Sequence, residues 1–446
     1  MGSLSDVKRL ARQRLADHGH GRLALSGMPS LLSGVRVLDL TNVLAGPFAT
    51  FQLAQLGAEV IKIEVPGSGD LARALGADPG LNKRGMGASF LAQNAGKLSV
   101  TLNLKNERGR DAFLRLVDTA DVVVENFRPG VMARLGLGPD VLRTRNPRLV
   151  VCAISGFGQT GPIAGNPAYD QIVQGLSGVM AITGTEQGGP TRAGFPVCDT
   201  VGGITAAFAI AAALFRRERT GEGETIDVSM LEATIPMLGW AVSNWLICGI
   251  APRRLGNENM TAAPSGTFAT GNGLLNIAAN MQSQFETLCD LVGRPDLKTD
   301  PRFAEREARK KNRAALNAEM NAALATHDAA YWESVLNAAG VPAGRVLSVE
   351  DMLVHPQVTE REVVRRFAAV PGIERDIAVV RSGFRLGSGD PGPATPPPRL
   401  GEHTRDVLRG AGLTDADIDA LATQERLDER PERGLVVDRD HRGETG

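Results

Sequence analysis

Val35-Arg36-Val37-Leu38-Asp39-Leu40 and Glu59-Val60-Ile61-Lys62-Ile63-Glu64 are the two stretches that decide the fold class of this chain. Both are short, mostly apolar and rich in β-branched residues, and residues 47–56 between them read as a helix. Strand, helix and strand at this spacing make a βαβ unit, in which the two strands lie parallel. Working outward, strands are expected at 97–104, 121–125 and 148–154, and helices at 108–119 and from Val201 onward. Strands alternating with helices predict an α/β fold, a parallel sheet covered by helices. No Gly-x-Gly-x-x-Gly stands between the first strand and helix, where a dinucleotide-binding fold carries its phosphate loop, so nicotinamide-dependent chemistry is not expected.

From about residue 225 the pattern changes. Residues 226–250 read as one long apolar helix, and Gly256-Asn257-Glu258-Asn259 opens a second domain with helices at 282–292, 306–326 and 331–340. Short strands return around 345–349 and 377–384, before a proline-rich turn at 391–398 and a last helix at 415–422. The expected division is an N-terminal arm (1–30), a discontinuous large domain (31–225 and 345–423), a linker helix with a small domain (226–344), and a charged tail (424–446) too poor in apolar residues to fold.

The charges nearly balance, 49 Lys+Arg against 50 Asp+Glu over 446 residues, which gives no overall basic field for nucleic acid or an anionic membrane. An anionic ligand must then be held by local groups. Cys152, Cys198, Cys248 and Cys289 are far apart and form no metal-binding spacing with histidines, so reduced, mostly buried thiols, no metal and a cytoplasmic setting are expected. The first 30 residues carry scattered charges without the apolar core of a secretory signal. The apolar stretch 201–215 is short for a bilayer span, contains Gly202 and Gly203 and ends in Arg216-Arg217-Glu218-Arg219, which reads as a buried helix.

Several further segments, in order, resemble those of the family III (CaiB/BaiF-type) CoA-transferases. They are Leu38-Asp39-Leu40-Thr41 with Ala45-Gly46-Pro47; Gly57-Ala58-Glu59-Val60-Ile61-Lys62-Ile63-Glu64; Gly67-Ser68-Gly69-Asp70; Glu125-Asn126-Phe127-Arg128-Pro129-Gly130; and Pro398-Arg399-Leu400-Gly401-Glu402-His403-Thr404. The resemblance covers nearly all of 31–423. It implies a Rossmann-like large domain built from both ends of the chain, a smaller inserted α+β domain, and a homodimer of two interlocked rings. It implies transfer of CoA from an acyl-CoA to a small carboxylic acid, with the CoA thioester as substrate and no other cofactor.

The family's nucleophile is an aspartate ahead of a helix, and the matching position is Asp199 in Val197-Cys198-Asp199-Thr200-Val201-Gly202-Gly203. Read on its own, Asp199 is equally an N-cap of the Val201 helix. The two readings combine, because the helix N-terminus favours a carboxylate and supplies amides for a developing acyl oxyanion. With an ordinary pKa near ~3.9 the side chain is expected to be ionised at neutral pH without a base. Tyr169 and Asp170, 30 and 29 residues earlier, are expected beside it, and Gly256 and Asn257 in a closing loop over the site. By resemblance the CoA contacts are Leu44, Ala45, Leu102, Asn103, Leu104, Lys105, Asn126, Phe127, Arg128, Arg134, Asn166 and Ala168, with Lys105 and Arg134 on phosphates. Leu44 and Val65 depart from formyl-CoA transferases, which carry glutamine and arginine there, and so weigh against oxalate as acceptor.

Two other readings compete. An α-methylacyl-CoA racemase resembles the same fold but carries a histidine where this chain has Tyr169, and a phenol with pKa near ~10 is a poor proton-transfer partner at pH 7. A non-catalytic CoA-binding protein would not need the Asp199 segment.

Overall fold

The computed structural model describes residues 30–428, so the N-terminal arm but for Ser30, and the tail beyond 428, lie outside the described residues. Its main sheet has six parallel strands, β1 (Arg36–Asp39), β2 (Glu59–Glu64), β3 (Lys97–Thr101), β4 (Val122–Glu125), β5 (Val150–Ser155) and β6 (Glu224–Ser229), in the spatial order β3-β2-β1-β4-β5-β6. Successive residues of each strand enter opposite cores. Val37, Val60, Val122, Val124 and Val150 face one, and Leu38, Ile61, Val123 and Val151 face the other. Helix α1 (Ala45–Gln55) covers the first with Ala49 and Leu53, and helix α2 (Glu107–Val117) covers the second with Phe113 and Leu116. Apolar contact on both faces is what such unbroken Val/Ile runs require, each buried side chain contributing roughly 1.5–3 kcal/mol.

Strand β6 was not expected. Residues 226–250 read as one helix, but Thr225-Ile226-Asp227-Val228 forms the sixth strand, paired with β5 from Glu224 to Ser229. Ser229 then caps a separate helix, α5 (Met230–Met237), by accepting the Glu232 amide at 3.1 Å; Pro236 and Gly239 (φ +53°) end it before α6 (Trp240–Cys248). β-branched residues favour the strand, and the cap, proline and glycine break the helix.

The helix expected from Val201 runs over Val197–Thr220 (α4, preceded in the chain by α3, Asp170–Leu176). At 24 residues α4 is long enough to span a bilayer, which the sequence reading understated. Its Cys198, Ala206, Ile210 and Leu214 are instead buried with β4 and β5 in the first core. The last helix continues past its expected end, over Asp415–Asp428, so residues 424–428 belong to it and not to an unfolded tail.

The described chain divides into two compact units. The first comprises residues 30–177, Gly194–Gly239 and 363–428; the second comprises Gly178–Ala193 and Trp240–Glu362. The boundaries differ from the expected 226 and 344 because β6 and α5 pack with the main sheet, while 345–362 pack with the second unit. The second unit has its own core around Phe268, Leu275, Phe285, Leu316 and Trp332, beside a three-stranded antiparallel sheet, Ser265–Ala269, Leu274–Ala278 and Ala343–Arg345.

Candidate functional site

In an open α/β sheet, ligands bind outside the carboxyl ends of the strands, where the strand order reverses. Here that place lies between β1, which leads to β2 on one side, and β4, which lies on the other. Loops 40–44 and 126–130 border the crevice, and Asn126 ties them together. Its Oδ1 accepts the Asn42 amide and its Nδ2 donates to the Asn42 carbonyl, both at 2.8 Å. The side-chain amide expected to contact CoA is therefore committed to the neighbouring main chain.

Asp199 stands within the first turn of α4, not ahead of it. The Asp170 carboxylate, 8% exposed, takes the capping role: Oδ1 accepts the Cys198 amide at 2.8 Å and the Asp199 amide at 3.3 Å, and Oδ2 accepts from Gln174 Nε2 at 2.6 Å. The Val197 and Thr200 amides donate to the Phe195 and Pro196 carbonyls. The first four amides of α4 are thus occupied, and the expectation that they would face an acyl oxyanion is corrected.

The Asp199 side chain is half-buried and has no hydrogen-bond or ion-pair partner among the described residues. Burial, and after it the Asp170 charge, push its carboxyl up to about 7, so it is not the fully ionised ordinary carboxylate expected. A carboxylate of raised basicity is the stronger nucleophile once ionised. Exposed Tyr169 directly precedes the capping Asp170, and Gln174 Nε2 also reaches the carbonyl of exposed Phe195 at 3.2 Å, which sets both aromatic residues beside the Asp199 turn.

Residues 32–404 match the sequence profile of CoA-transferase family III. The chain belongs to CoA-transferase family III. It is 45% identical over 338 residues to the acetyl-CoA:oxalate CoA-transferase of Acetobacter aceti, covering 76% of this chain and 86% of that one. It is 39% identical over 389 residues to the succinate–glutarate CoA-transferase of Agrobacterium fabrum, covering 84% and 94%. Among solved structures it resembles a CaiB/BaiF family protein from Brucella suis (TM-score 0.76, 33% identity, 86% of this chain and 100% of that one). Rv3272 from Mycobacterium tuberculosis is similarly alike (TM-score 0.75, 36% identity, 84% and 98%).

In this family III CoA-transferase, α1 and α4 meet at Gly203, one turn after Asp199. A Cβ there would stand 2.6 Å from the Ala45 carbonyl, so only glycine lets the helices close. That contact brings Leu44 and Ala45 alongside the helix that bears Asp199. Ala45 is 4% exposed and Leu102 is 2% exposed, so neither presents an open side chain; Leu104 and Phe127 pack on the second core. Asn103 Oδ1 accepts the Lys105 amide at 3.0 Å. Lys105 after β3, Arg128 after β4 and Arg134 on the short helix Val131–Arg134 are exposed, and their side chains make no ion pair among the described residues. Asn166 is exposed, and Ala168 packs against Gly156, where a Cβ would come within 2.2 Å of the alanine methyl. Gly256 and Asn257 lie in the second unit, where they border a cavity of about 770 Å³ with Asn259, Asn276 and Asn337.

Sequence reasoning did not single out Gln174, Lys62 or Glu125 for the site. Lys62, between Ile61 and Ile63 in an apolar strand, was a legible sign of a buried charge. Glu125 closes the Val122-Val123-Val124 run and its Oε2 accepts the Phe127 amide at 2.7 Å. Burial pushes its carboxyl up to about 7 against that bond, and Asp227 adds to the rise.

Proposed function

We propose that this CoA-transferase moves CoA from an acyl-CoA such as succinyl-CoA to a small mono- or dicarboxylic acid through covalent intermediates on Asp199. The observation that carries the reading is a half-buried, unpartnered carboxylate of raised pKa on the first turn of α4, beside the helix α1 that starts at the β1–β4 crevice. An Asp199 oxygen attacks the thioester carbonyl, the C–S bond breaks and CoA leaves as thiolate, giving a mixed anhydride. The thiolate attacks the Asp199 carbonyl, the anhydride C–O bond breaks and the donor acid leaves as carboxylate, giving an aspartyl-CoA thioester. The acceptor carboxylate then attacks that thioester and displaces the thiolate. Attack of the thiolate on the acceptor's acyl carbon forms the product and frees Asp199.

Lys105, Arg128 and Arg134 are the cations proposed for the CoA phosphates, in keeping with their exposure and with side chains that make no ion pair among the described residues. The acid-binding side is assigned to Tyr169 and Phe195, the exposed aromatic residues beside the Asp199 turn. A homodimer is proposed as the working form. Ile204, Phe208 and Phe215 form one exposed apolar stripe on α4, and Ile172 and Leu176 stand exposed on α3.

The test is incubation with succinyl-CoA and no acceptor, followed by intact mass. Enzyme carrying CoA on Asp199, released by hydroxylamine, supports the route. Solvent deuterium entering the α-carbon of a 2-methylacyl-CoA, with no adduct and no CoA transfer, would overturn it in favour of the racemase.

A further inference from the structure

The loop after β1 is held in a conformation that its own sequence disfavours. Val43 has φ +69°, a left-handed region that a β-branched residue occupies only with strain. Side chains from four other places hold it there. Asp39 Oδ1 accepts the Thr41 amide at 2.9 Å, and Lys62 Nζ donates to the Thr41 carbonyl at 2.7 Å. Asn126 binds both main-chain groups of Asn42, and Asp70 Oδ1 accepts the Val43 amide at 2.9 Å. Lys62 and Asp70 form an ion pair at 2.9 Å with both side chains fully buried. Asp70 is itself fixed, its amide donating at 3.0 Å to Glu64, which Arg73 grips through two bonds of 2.7 Å.

Three successive residues are therefore gripped by β1, β2, the turn after β2 and the turn after β4. Burial works against the Lys62 charge, but Asp39, Asp70 and Glu64 raise its pKa, so Lys62 stays charged at neutral pH. A buried ion pair is a poor source of stability and a strained valine a cost, so what the arrangement supplies is a rigid loop at the crevice. We propose that Asp70, paired with Lys62, and Asn126 are positioning residues that lock Val43 in its left-handed conformation, so that Leu44 and Ala45 meet the CoA thioester in one fixed place. This rests on the crevice being the CoA site. Asn126 then acts on CoA through Asn42, not by touching it.

The test is calorimetric titration of CoA into the protein and its Asp70→Ala, Asn126→Ala, Val43→Gly and paired variants. Asp70→Ala and Asn126→Ala, which remove the acceptors of the Val43 and Asn42 amides, should each weaken CoA binding about tenfold, while Val43→Gly stays close to wild type. Glycine takes φ +69° without strain, so adding Val43→Gly should restore either variant to within about threefold of wild type. A merely structural role would lower the melting temperature of single and paired variants alike and leave affinity unrestored, which would overturn the proposal. So would single variants that bind CoA within about twofold of wild type. If Asp70→Ala does not fold, the Asn126→Ala pair carries the same comparison. Wild-type protein that binds no CoA would overturn the crevice reading and this inference with it, whereas tight wild-type binding with unaffected variants overturns the inference alone.

Discussion

The carboxylate of Asp170 accepts the main-chain amide of Asp199 at 3.3 Å. One acid therefore caps the helix that carries the other. The relationship fixes where the second carboxylate stands, keeps the helix amides away from it, and sets a negative charge near it that helps to raise its pKa.

Replacing Asp199 by Ala or Asn should cut CoA-transfer turnover at least about 100-fold, because the covalent route is lost, while CoA affinity changes little. Steady-state kinetics with succinyl-CoA and a panel of acids, beside CoA titration, check this. Retention of more than about a hundredth of wild-type turnover sinks the nucleophile assignment.

Because Asp199 must be ionised to attack, kcat/KM for the acyl-CoA should rise with pH through an apparent pKa of about 7 and level off above it. Asp170→Asn keeps an oxygen for the Cys198 and Asp199 amides but removes the charge, so the midpoint should move to lower pH. A profile flat from pH 5.5 to about 8.5, or a midpoint unmoved in the variant, contradicts the assignment.

The same shift acts on stability. In the fold the Asp199 proton is held up to about pH 7, against 3.8 for an ordinary aspartate, so between those values the native state binds more protons than the unfolded one and stability falls as pH rises. Asp199→Asn removes this dependence. Its melting temperature should match wild type near pH 4 and exceed it by roughly 2–4 °C at pH 8. Melting by circular dichroism at the two pH values decides; equal differences at both would refute the shift.

The apolar stripe Ile204, Phe208 and Phe215 should be covered in solution. Light scattering at micromolar concentration should give twice the chain mass, and Phe208→Glu should weaken or abolish the assembly. A folded wild-type monomer under those conditions excludes the proposed homodimer.

The parallel α/β sheet was legible in the sequence because its cause is local and repetitive. Val122-Val123-Val124 and Val60-Ile61 have the β-branched composition that a strand buried on both faces needs, and α2 has a cap, Asn106, and an apolar stripe of its own. Asp199 was legible as a candidate through the segment that carries it and the resemblance of the neighbouring motifs. Strand β6 was not, because Ile226 and Val228 continue into the mainly apolar stretch 230–250 with no glycine or proline where the strand gives way to the helix. Nor could the sequence show that Asp170, and not Asp199, caps α4, or that Asn126 is bound to Asn42 across 84 residues. Those partners are decided by which carboxylate or amide the packed sheet and helices bring within 3 Å of a main-chain group, and pKa follows from the burial that results. Sequence by itself determined strands β1–β5, the helices α1, α2 and α4 and the residue types available for chemistry. Tertiary structure alone decided which of them are committed to holding main chain and which, like the Asp199 carboxylate, are left unpartnered among the described residues, because hydrogen-bond partnership and desolvation depend on distance in space.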